Sequence, residues 1–141
     1  MKLQKLVYFA HGWHLAYGEG PLIPDEIEAW NYGPVIESLY RELKHYGSGE
    51  ITSPILEIDF RNNIFSAQAP TIDNPNLNQF LGNVVGVYGG FTPIQLSNMT
   101  HMPGTPWQRL KVKYPHDRSL TIPNELIRDY FVGQLPKTNP A

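Results

Sequence analysis

The 141-residue chain contains no cysteine. That excludes disulfide staples, a thiolate nucleophile and a thiolate metal site. Charge is also scarce. Asp, Glu, Lys and Arg make up 17% of the residues and the formal net charge is −2. No global basic field is therefore present to hold a nucleic-acid backbone. No apolar run approaches the length of a membrane span. No basic-plus-apolar leader is visible, because Lys5, His11 and His14 interrupt the first apolar stretch. The expected compartment is the cytoplasm. Catalytic signatures are missing too. There is no Gly-x-Ser-x-Gly elbow and no His-Glu-x-x-His pair. The two short glycine clusters, Gly18–Gly20 and Gly47–Gly49, are too short for a phosphate loop.

What is present is a globular apolar fraction of 41%, in a chain long enough for one domain with a real core. Thirteen prolines and twelve glycines predict short elements with firm ends. Residues 3–17 put Leu3, Leu6, Val7, Ala10, Trp13 and Tyr17 at helical spacing, with Phe9 and Ala16 extending the stripe. A helix apolar over so much of its circumference is buried on more than one side, so it is the expected centre of the fold. Ile27–Trp30 alternates as a short extended piece, and Pro34 suits the first turn of a helix running to about Tyr46. That helix should bury Ile36, Leu39, Leu43 and Tyr46. Leu56–Phe60 alternates like a half-buried strand, which Arg61–Asn63 would turn back into Ile64–Ser66. Asn74-Pro75 and Thr92-Pro93 each read as a cap followed by a first-turn proline. Gly82, Gly86 and Gly90 line one edge of the helix after Pro75, and close approach of another backbone would explain them. Trp107–Lys111 predicts one more helical turn, Asn124–Phe131 a final amphipathic helix, and residues 135–141 a frayed tail. The fold class expected is mainly α, around a central N-terminal helix, with a small β-hairpin.

Three segments carry a family resemblance. They are Leu3-Gln4-Lys5-Leu6 with Tyr8-Phe9 and Gly12-Trp13; Ala29-Trp30 with Tyr32-Gly33-Pro34-Val35; and Thr100-His101 with Pro106-Trp107. In that order they resemble the SocA-like Panacea domain, a family of antitoxins also met in phage-associated proteins. The resemblance runs from about Lys2 to Trp107 and implies a single domain over 1–141. The family places a helix ahead of its Leu-Gln-Lys-Leu motif. This chain starts at that motif, so the helix is expected to be missing or to belong to an unobserved start. With it absent, Phe9 or Leu15 should lie open. Either Leu126–Phe131 or a second copy would cover them, and the expectation leans to a two-fold homodimer.

The resemblance implies binding and neutralisation of a cognate toxin protein, with no cofactor and no enzymatic activity. Delivery of the toxin to a Clp-type protease also occurs in the family, although no protease-docking element is legible in this sequence. The residues singled out for partner contact are Gln4, Tyr8, His11, Trp30, Tyr32, Thr100, His101 and Trp107. For Trp107, packing on the central helix near Trp13 is the expected role. Gln4, Tyr8 and His11 follow one another by turns of a mostly apolar helix, so they need polar partners if buried. His11 and His14 sit one turn apart without a carboxylate beside them, so core and solvent roles outweigh a shared metal. His101, near a helix end, should bond a terminal carbonyl. Two rival readings stay open. A hydrolase would bring a carboxylate to His101. A phage-associated structural or nucleic-acid-linked factor would gather Arg109, Lys111, Lys113 and Arg118 into a basic groove.

Overall fold

The structure, a computed structural model, describes residues 1–47, 49–61 and 64–136. The described residues form six α-helices, a three-stranded antiparallel sheet and a two-stranded hairpin. Helix α1 (Lys2–Ala16) packs against α6 (Asn124–Gly133), α3 (Pro75–Tyr88), α4 (Pro93–His101) and strand β2 (Gly33–Ile36). Its apolar circumference thus finds partners on several sides within one chain. Phe9 and Leu15 are buried, at 5% and 6% exposure. The open flank that motivated a homodimer does not exist. Phe131 of α6 supplies the cover, with its ring edge-on to Tyr8, Phe9 and Trp13.

Strand β1 (Ile27–Trp30) lies between β2 and β5 (Leu120–Ile122). Ile27 and Ala29 point into the core, as their alternation predicts. Pro34 does not open a helix. It pairs with Ala29 in β2, an edge strand, where a residue without an N–H is tolerated. Helix α2 (Glu37–Leu43) therefore starts three residues later than expected and is followed by a 3₁₀ turn at Lys44–Tyr46. Of its expected core set, Ile36 is buried as a strand residue, while Leu39, Leu43 and Tyr46 are only half-buried. The hairpin appears as β3 (Glu57–Arg61) with β4 (Ile64–Gln68). Its expected turn at Asn62 and Asn63 lies outside the described residues, as does the tail from 137 onward.

Helix ends follow their signals. The Asn74 side chain accepts the Leu77 N–H ahead of α3. Thr92 and Gln95 form a reciprocal capping box at α4. Thr105 caps α5 (Pro106–Lys113) by accepting the Gln108 N–H. The spaced glycines, Gly82 and Gly86 in α3 and Gly90 just beyond it, do not mark a backbone crossing, because a Cβ at any of them would meet open space. Close approach occurs at Gly12 instead, where an added Cβ would run into the Phe131 ring. No described helix is long and apolar enough to cross a membrane.

Candidate functional site

The β1–β2 hairpin tip is held from behind by α1 and α4. Lys5 belongs to the buried face of α1 together with Tyr8, Phe9 and Gly12, and is 2% exposed. Its ammonium donates to the Tyr32 carbonyl at 3.0 Å and the Pro34 carbonyl at 3.3 Å. Those two bonds clamp the chain on either side of Gly33. Gly33 adopts φ = +114°, which disfavours any side chain. A Cβ there would also press on the Lys5 Nζ, the Thr100 hydroxyl and the His101 Nε2. Lys5, Thr100 and His101 therefore converge on one glycine.

No acid compensates Lys5 among the described residues. Burial alone pushes its pKa down from 10.5 to about 8. Its charged neighbours are like-signed when protonated: the His101 imidazole and the Met1 amino group both feel Lys5 as a repelling cation. Burial, then Lys5, holds the His101 pKa below 6.5, so its neutral form prevails at pH 7. His101 Nδ1 faces the Ser97 hydroxyl at 3.4 Å, and its Nε2 is buried without a partner. It does not bond a helix-terminal carbonyl as expected. The carboxylate that a His101 hydrolase would need is not hydrogen-bonded to this ring among the described residues; the group acting on it is a lysine.

Trp107 packs edge-on against His101 with ring centroids 4.2 Å apart, and its indole N–H donates to the Trp30 carbonyl at 2.5 Å. Its expected neighbour, Trp13, is engaged elsewhere, on Phe131, Tyr17 and the Tyr88 hydroxyl. Trp107 thus supports the hairpin tip rather than the middle of α1. Gln4 lies one residue before Lys5 and is 8% exposed. Its amide donates to the Ile36 carbonyl and accepts the Ile36 N–H, both at 3.0 Å.

In front of this support lies a groove of about 300 Å³, lined by Lys5, Trp30, Tyr32, Val35, Tyr40 and Lys44 among others. Tyr32 stands 76% exposed at the hairpin tip, and Tyr40 of α2 is 45% exposed. Trp30 meets Tyr40 edge-on at 5.0 Å, and its indole N–H is buried and unpaired.

The residues chosen from sequence divide into three groups. Trp30, Tyr32 and Gln4 line the groove. Thr100, His101 and Trp107 stand behind its hairpin wall. Tyr8 and His11 lie inside the fold, at 2% and 0% exposure. The His11 Nε2–H donates to the Asn124 side-chain Oδ1 at 2.9 Å, and Nδ1 accepts the Leu22 N–H at 3.3 Å. Both ring nitrogens are therefore committed to structure. His14 Nδ1 bonds the Gly20 carbonyl, so the two histidines do not face one another as a metal pair. Lys5, Tyr40 and Lys44 were missed. For Lys5 the signal was legible: a lysine at i, with Tyr8, Phe9 and Gly12 at i+3, i+4 and i+7, sits on the buried stripe. Arg109 and Lys113 share one helix face, and Lys111 lies on another, bonded to the Asp117 carbonyl.

Residues 3–108 match the family described as "Antitoxin SocA-like, Panacea domain". A curated protein named Antitoxin SocA, from Caulobacter vibrioides, is 31% identical over 107 residues, which is 76% of this chain and 56% of that protein. The chain thus spans just over half the length of this relative. No solved structure matches the chain significantly.

Proposed function

The chain belongs to the SocA-like antitoxin family with a Panacea domain, and we propose that it binds a cognate toxin protein and neutralises it by direct, non-catalytic contact. The observation that carries this reading is the exposed aromatic pair Tyr32 and Tyr40 beside Trp30, at the mouth of a groove whose hairpin wall is fastened from behind. Rigid, half-exposed aromatics at a groove are the usual anchors of protein interfaces. Preorganisation of the tip by Lys5 and Trp107 lowers the ordering cost of binding.

Co-expression with the protein of the neighbouring open reading frame tests the proposal. Growth should be restored, and a stable complex should elute on gel filtration. Tyr32→Ala and Tyr40→Ala should each weaken that complex by about 2 kcal/mol, near thirtyfold, with unchanged melting curves. Rescue without any complex would defeat direct neutralisation. Toxin levels add a second readout. A toxin that disappears when the antitoxin is present, and persists in cells lacking Clp proteases, would add proteolytic delivery to binding.

A further inference from the structure

The polar groups left unmatched around the groove are donors. Lys5 carries three N–H donors, and the two hairpin carbonyls take two of them. The Trp30 indole N–H has no acceptor. Lys44, at the other side of the groove, adds a second ammonium, and no Asp or Glu lines the groove among the described residues. This basic pocket sits in a chain of net charge −2, so its sign is a local feature. A buried ammonium without a counter-ion is a costly arrangement, and a carboxylate brought by a partner would relieve it.

We infer that the groove receives an Asp or Glu side chain of the toxin, whose carboxylate pairs with Lys5 and Lys44 while an adjacent apolar side chain packs on Trp30, Tyr32 and Tyr40. The inference rests on the toxin-binding reading and adds the chemistry of the contact. Charge complementarity supplies the carboxylate, because donors and cations line the floor and one rim. The aromatic walls supply the apolar part, because Trp30, Tyr40 and Val35 offer ring faces and methyl groups beside those donors.

The test uses the full chain with 13Cε-labelled lysine and the protein of the neighbouring open reading frame. The Lys5 titration midpoint is followed by NMR in the free chain and in the saturated complex. A carboxylate at the ammonium favours the charged form, so the midpoint should rise from about 8 in the complex. Lys44→Glu, on an exposed position, should weaken the complex about tenfold or more, and an acid-to-lysine change in the toxin should restore it. Lys5→Met serves as a second variant only where its circular dichroism shows a folded chain. A full-affinity complex with an unmoved or lowered Lys5 midpoint, and no effect of Lys44→Glu, would overturn the inference and leave the antitoxin reading standing. Absence of any complex would overturn both. A midpoint that rises with inorganic phosphate or RNA, but not with the toxin, would assign the groove to a phosphate ligand and overturn it as well.

Discussion

Gln4 does for β2 what a neighbouring strand would do. It offers one donor and one acceptor to the same residue, Ile36, and so satisfies the edge where β2 hands over to α2. An isosteric apolar side chain would take the Gln4 partner away from the N–H and the carbonyl of Ile36 in a buried place. Each such group costs about 1–3 kcal/mol. Gln4→Leu should therefore lower the unfolding free energy by at least that much in denaturant titrations. Gln4→Glu should be harmful too, because its carboxylate faces the Ile36 carbonyl with no proton to donate. Lys5 works beside it on the same principle, with its ammonium divided between two carbonyls of the hairpin tip. Both residues also shape the surface that Tyr32 presents.

At the scale of elements, the crossing of α1 and α6 rests on Gly12. The Phe131 ring occupies the space where any larger residue would place its Cβ. Gly12→Ala should drive that ring off its position, at a cost of about 1–3 kcal/mol from overpacking. Adding Phe131→Leu should recover part of the loss, and a thermal-melt double-mutant cycle would show the coupling. Helix α5 has a similar organising role for the hairpin. Trp107→Ala removes the ring against His101 and the donor to the Trp30 carbonyl. Truncation of a large aromatic packed in this way costs about 3 kcal/mol. Stability and toxin affinity should fall together, unlike the Tyr32 variant, in which affinity alone should fall.

The molecule as a whole should be acid-sensitive for a reason that lies in its buried histidines. Burial lowers the pKa of both His11 and His101 below 6.5. The unfolded chain then binds protons that the folded chain refuses, so stability is lost as pH falls from 6.5 through the lower folded values. Melting temperatures should drop between pH 7 and pH 5, and His11→Gln should flatten that slope. On the alkaline side the sign stays the same for Lys5. Between about 8 and 10.5 the unfolded lysine holds a proton that the folded one has released, so stability rises with pH there. Tyr8, Tyr88 and Tyr130, whose phenols burial pushes up, reverse the trend above 10. Denaturant midpoints across pH 7 to 10 should rise, and Lys5→Met should remove the rise.

Helical spacing in residues 3–17, the two cap-and-proline starts and the alternation of Ile27–Trp30 were enough to determine α1, α3, α4 and β1. These signals are local: each depends on residues within a turn or a strand of one another. The three motif segments likewise determined the family. Tertiary structure decided the rest, because the deciding partners are far apart in the chain. β5 is three residues long and exists as a strand through its pairing with β1, more than ninety residues earlier. Pro34 satisfies the rules for a helix start and for an edge strand alike, and β1 selected the second. The α3 glycines and Gly12 look equivalent as letters, yet only Gly12 faces a ring contributed by α6. The site followed the same division. Its tyrosine and tryptophan lay within a readable motif, whereas the carbonyls that the buried Lys5 serves became visible only when α1 was laid against the hairpin tip.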